Sequence, residues 1–65
     1  MSINKKLKEL REERQKTQRE VAEALGIKEQ AYQRYEYGTR EPKIDVIRKL
    51  ARYYGISADE ILELK

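Results

Sequence analysis

The sequence predicts an all-α domain of five short helices. Apolar residues recur at spacings of three and four, and no segment sustains the two-residue alternation of a strand. Turn-forming residues break the chain at Gln15-Lys16-Thr17, Gly26, Gly38-Thr39-Arg40-Glu41-Pro42 and Gly55.

The first helix is expected from about Asn4 to Arg14, with Ile3, Leu7 and Leu10 along one face. The second runs from Gln18 to Leu25 with an apolar stripe of Val21, Ala22 and Leu25. Thr17 is suited to cap it, and Glu20, three residues later, completes the pattern of a capping box. The third runs from Lys28 or Glu29 to Tyr37, with Tyr32 and Tyr35 inward and Gly38 as a left-handed stop. The fourth runs from Ile44 to Tyr54, with Ile44, Ile47, Leu50, Ala51 and Tyr54 as its buried stripe. The fifth runs from Ala58 to Leu64, where Ser57 and Glu60 form a second capping-box pattern.

A chain of 65 residues is expected to make one domain, 1–65. Domains of this size bury only roughly 60% of their unfolded surface and usually need reinforcement. With no Cys and no His, disulfides and the usual zinc sites are excluded, so regular helix packing or dimerisation must serve. No cofactor or metal is expected. The absence of Gly-rich phosphate loops and of any base beside Ser2 or Ser57 argues against an enzyme. No apolar run approaches the ~18 residues of a membrane span. The stretch Met1-Ser2-Ile3-Asn4-Lys5-Lys6 lacks a signal peptide's apolar core. A cytoplasmic protein is the resulting expectation.

Net charge is +3, but its distribution is uneven. Residues 1–20 carry seven Lys/Arg against four Glu, and residues 38–54 carry five against two acids. Residues 55–65 carry one Lys against three acids. Local basic density of this kind suits phosphate binding. A solvated surface explains the charges equally well when they are taken alone.

Segments two and three carry the functional pattern. Small Ala22 lets the next helix cross closely, Gly26 takes the turn, Ile27 plugs the corner, and Tyr32 and Tyr35 pack the third helix on the second. The free outer face then holds Lys28, Glu29, Gln30, Gln33 and Arg34. Long polar side chains are what reading base edges in a major groove requires. Singly, each is also an ordinary exposed helix former.

Four stretches together resemble the Cro/repressor-type (Xre-like) helix-turn-helix domains: residues 10–13, 17–27, 35–42 and 50–57. The resemblance extends from about Lys6 to Leu62. It implies a five-helix lambda-repressor-like fold, with the helix-turn-helix at about 17–37 and sequence-specific binding to double-stranded DNA. It assigns base reading to Lys28, Glu29, Gln30, Gln33 and Arg34. Phosphate contacts fall to Thr17, Gln18, Thr39, Arg40 and Lys43, and Arg11 and Glu36 match a buried ion pair. In the last segment Ile61 or Leu62 can face the core, and the apolar surplus among Ile61, Leu62 and Leu64 suggests a homodimer that presents two reading helices to a palindromic operator, ~34 Å apart. A repressor acting by occupancy is expected, with an antitoxin or adaptor module on the same fold as the alternative.

Several positions depart from the family pattern. Gln15 replaces the usual glycine after the first helix, which implies a looser turn or a longer helix. Lys16 stands where relatives bury an apolar residue. Lys28 replaces the Ser or Thr cap of the reading helix. Glu29 either accepts a bond from cytosine N4 or sits at the helix start for dipole reasons. Tyr37 either reaches a phosphate or is plain surface.

Overall fold

The computed structural model describes residues 3–62. They form α1 (Ile3–Glu13), α2 (Gln18–Leu25), α3 (Glu29–Tyr37), α4 (Ile44–Tyr54) and α5 (Ala58–Leu62). The boundaries follow local chemistry. Thr17 Oγ1 accepts from Glu20 N at 3.0 Å, and Glu20 Oε1 accepts from Thr17 N at 2.9 Å, a complete capping box. That pairing holds the Glu20 carboxyl below the ordinary carboxylate range, the backbone N–H of Thr17 being the main cause and its side chain the second. At Ser57 half of the expected box is formed. Glu60 N donates to Ser57 Oγ at 3.2 Å, and among the described residues no return bond is made.

Gly26 ends α2 in the left-handed region at φ 73°, and Ile27 N closes the turn onto Ala22 O at 3.0 Å. Gly38 does the same for α3 at φ 83°, where an added Cβ would also stand 3.3 Å from the Asn4 side chain. Gln15 has φ 54°, the left-handed region that glycine prefers. The turn after α1 is therefore neither loosened nor absorbed into a longer helix. It keeps a glycine-like conformation with a glutamine in it.

α3 packs on α1 and α2, α2 also meets α4, and α5 closes against α1 and α4. The core is Leu7, Leu10, Val21, Ala22, Leu25, Tyr32, Tyr35, Val46, Ile47, Leu50, Ala51, Tyr54 and Ile61. One sequence expectation for α4 is corrected. Ile44 is 56% exposed, and Val46 is buried in its stead. Residues 46, 47, 50, 51 and 54 make one contiguous stripe, and at 3.6 residues per turn Ile44 lies about 90° from its centre. A three-residue step to Ile47 put Ile44 on the stripe's rim rather than within it.

The core contains two orphaned hydroxyls. Tyr32 and Tyr54 are buried with no hydrogen-bond partner within bonding distance among the described residues. Burial is the main cause pushing the Tyr54 phenol up to about 12, and burial with Glu36 close by pushes Tyr32 still higher. Both stay neutral at physiological pH. Arg14 lies over the Tyr54 ring at 4.8 Å, and Tyr53 stacks beside it at 5.1 Å. Tyr53 is half-buried against the core.

No helix among the described residues is long and apolar enough to cross a membrane.

Candidate nucleic-acid interface

The three-residue turn Gly26-Ile27-Lys28 reverses the chain between α2 and α3, and the inner face of α3 buries Tyr32, Tyr35 and Glu36. Its outer face remains. Lys28, Glu29, Gln30 and Arg34 are exposed, and Gln33 is half-buried. Lys28 makes no side-chain cap, as expected for a residue with no acceptor. The first N–H groups of α3 are left for solvent or for an acceptor brought by a partner. Lys43 stands likewise uncapped at the start of α4. Thr39, Arg40 and Lys43 are all exposed in or beside the α3–α4 connection. The Thr39 hydroxyl also donates to Arg34 O at 3.4 Å, so it helps finish α3.

Under this face runs a chain of polar contacts. Arg11 Nε and Nη2 donate to the two oxygens of Glu36 at 2.6 and 3.0 Å, a fork that ties α1 to the end of α3. Arg11 Nη1 donates to Lys16 O at 3.0 Å, which also anchors the α1–α2 turn. The Glu36 side chain is 2% exposed and that of Arg11 13%. Burial would by itself raise the Glu36 carboxyl. The hydrogen bond from Arg11, the adjacent Tyr32 hydroxyl, the hydrogen bond from Gln18 and the Arg11 charge together outweigh it, so the net shift is downward. Arg11 is correspondingly raised, chiefly by its hydrogen bond to Glu36. Such a pair sets geometry more than it adds net stability.

Gln18 extends this chain. Its Nε2 donates to Glu36 Oε1 at 3.0 Å, and its Oε1 accepts from Gln33 Nε2 at 3.2 Å. Gln33 Nε2 also lies 3.5 Å from Glu29 Oε2. Neither the Gln18–Gln33 nor the Gln18–Glu36 bond was foreseeable from spacing, because both cross between helices.

A cleft of about 550 Å³ opens where α1, α2 and α3 meet. Lys8, Lys16, Thr17, Gln18, Glu29 and Tyr37 are among its lining residues. Lys8 is the addition that sequence reasoning missed. Its signal was its position one turn before Arg11 on α1. Lys16 is half-buried, so its stem covers the core edge while it borders the cleft. Tyr37 is 66% exposed. The cleft joins Lys8 and Lys16 to the start of α2, with the mutually neutralised Arg11–Glu36 pair and Glu29 also on its wall.

The C-terminal expectation changes in part. Ile61, assigned to a contact between copies, is fully buried within its own chain and cannot supply such a surface. Packing of α5 on both α1 and α4 consumes it. Leu62 is half-buried and borders a second cleft with Ile3, Tyr35, Pro42 and Ile47. Leu64 lies outside the described residues.

The chain belongs to the helix-turn-helix family, whose sequence profile matches residues 7–61. It is 39% identical over 60 residues to the transcriptional repressor RstR of cryptic phage CTXphi from Vibrio cholerae, covering 92% of this chain and 54% of that protein. It is 40% identical over 62 residues to the HTH-type transcriptional regulator ImmR of Bacillus subtilis, covering 95% and 49%. The HTH-type transcriptional activator BcrR of Enterococcus faecalis is 29% identical over 62 residues, covering 95% and 30%. The chain spans about half the length of the first two of these relatives.

Proposed function

We propose that this chain is a DNA-binding unit of a transcriptional regulator, and that it lays α3 in the major groove of double-stranded DNA. The observation that carries this reading is the division of α3 into a buried inner face and an outer face of Lys28, Glu29, Gln30 and Arg34, flanked by exposed Arg40 and Lys43. Base edges would be read by Lys28, Gln30, Gln33 and Arg34, with Glu29 beside them. Thr17, Gln18, Thr39, Arg40 and Lys43 would grip phosphates and set the register. Lys8 and Lys16 join them through the shared cleft. The relatives' names, a repressor, a regulator and an activator of transcription, support the class.

The finer reading is a cytoplasmic repressor that binds a palindromic operator as a homodimer and acts by occupying the site. Leu62 and Leu64, with Ile61 excluded, would supply the two-fold contact. Two reading helices one DNA turn apart, ~34 Å, would follow. As a unit, residues 1–65 need no cofactor for this task, and the chemistry is recognition rather than catalysis.

The test is duplex binding across a salt series, followed by selection of bound duplexes from a random pool. Affinity should fall linearly with log salt, and the selected sites should be inverted repeats. No binding at low salt would refute DNA recognition and turn attention to a protein partner. Single, unrepeated half-sites would refute the dimer while leaving DNA binding intact.

A further inference from the structure

The polar chain beneath α3 begins and ends on a carboxylate, and this constrains every amide between them. A carboxylate carries no hydrogen, so it can only accept. Gln18 stands 3.0 Å from Glu36 and must therefore turn its nitrogen inward. Its oxygen then faces Gln33, 3.2 Å away, and Gln33 must answer with nitrogen. Glu29, on the next turn of α3, lies 3.5 Å from that same nitrogen and imposes the same orientation from outside. The polarity follows from the chemistry of the two ends and does not depend on telling oxygen from nitrogen in either amide.

Nε2 of Gln33 has two hydrogens: one is given to Gln18 at 3.2 Å, and the other faces the Glu29 carboxylate at 3.5 Å, the long limit of a hydrogen bond. Among the described residues no donor reaches its Oε1. Reversing the Gln33 amide would set that oxygen against Gln18 Oε1 and the Glu29 carboxylate, losing two hydrogen bonds and creating two repulsions. Glu36 stays ionised beside Arg11, so the inner end of the relay does not itself switch.

We infer that Gln33 meets DNA as a hydrogen-bond acceptor alone, its orientation set by Glu36 through Gln18 and by Glu29, and that it selects a base with an exocyclic amine, adenine or cytosine. This rests on α3 being the element that enters the major groove. In that groove adenine N6 and cytosine N4 donate, whereas guanine presents N7 and O6 and thymine presents O4, all acceptors. The two-bond pairing of a free glutamine with adenine needs a free N–H for N7, whereas in Gln33 one N–H is held by Gln18 and the other faces the Glu29 carboxylate. Glu36 and Gln18 act here as positioning residues for a base contact made by another side chain.

The experiment has two arms. In the first, the operator position read by residue 33 is located as the one whose preference vanishes in Gln33→Ala. The four bases are then compared there. The native protein should bind adenine and cytosine within about threefold of each other, and guanine and thymine at least about fivefold more weakly. Glu36→Gln, whose amide can donate or accept, should compress that gap to about twofold. Glu29→Gln, on an exposed residue that the fold does not need, should compress it partway. Strong preference for adenine over cytosine, or for guanine or thymine, overturns the inference. So does an undiminished gap in both variants.

The second arm uses the free protein and needs no DNA. The Gln33 side-chain amide protons should exchange slowly with solvent and be shifted from free-amide positions by NMR, with cross-relaxation to the Gln18 side chain. Free-amide shifts with unprotected exchange would overturn the relay even if DNA binding is strong. Absent DNA binding with a protected amide would instead refute the major-groove role and leave the relay as a structural feature.

Discussion

Replacing Gln15 by glycine should stabilise the domain. Gln15 is exposed and at φ 54°, so the change removes no packing. An L-residue held left-handed costs roughly 1–2 kcal/mol, which glycine does not incur. Against this, glycine's extra freedom in the unfolded chain costs about 0.4–1 kcal/mol. The bonds from Gln15 N to Glu12 O at 3.0 Å and from Lys16 N to Arg11 O at 3.1 Å are backbone bonds and survive the change. The balance centres on a gain of about 0.8 kcal/mol. In a domain of this length that raises Tm by about 2–8 °C. Thermal and urea unfolding followed by circular dichroism would measure it, with an unchanged urea slope showing that only stability moved. Gln15→Val is the control. A β-branched side chain tolerates the left-handed region worst and should lower Tm. If glycine and valine leave Tm alike and unaltered, residue 15 is not left-handed in solution.

Four further outcomes follow from the same structure. Arg11→Met should cost about 3–5 kcal/mol by urea denaturation, because the buried Glu36 charge would keep only Gln18 as its strong partner. Acid should weaken the native protein through the same carboxylate. Its folded pKa lies below its unfolded value, so its contribution is complete above an unfolded pKa of about 4.3 and is lost as pH falls through the folded pKa. Urea midpoints measured across that window should drop in the native protein and change less in the Arg11→Met variant. Lys28→Ser should supply the missing cap of α3 and raise stability by about 0.5–1 kcal/mol, while DNA affinity falls with the lost cation. Arg34→Ala should cost about 1–3 kcal/mol of binding and relax preference at one operator position, whereas Arg40→Ala should weaken all duplexes alike and flatten the salt slope by roughly one unit, as titrations on matched and mismatched duplexes would show.

The helices and their limits were readable in the sequence because their causes are local. The Thr17–Glu20 box, the stops at Gly26 and Gly38, and the stripe through Val21, Ala22 and Leu25 all depend on residues within about one helical turn. The outer face of α3 followed once its inner tyrosines were recognised. Resemblance to a family supplied the pairing of Arg11 with Glu36, which spacing did not reveal. The tertiary structure decided whatever depends on how helices cross. It exposed Ile44 and buried Val46, took Ile61 into the core, and kept a left-handed turn at Gln15. It also brought Gln18 to Gln33 and Glu36, 15 and 18 residues away in the chain. Periodicity ranks the faces of a single helix but does not say where a neighbouring helix ends. Hydrogen bonds between side chains on different helices require atoms to meet within about 3 Å, and only the packed arrangement determines that.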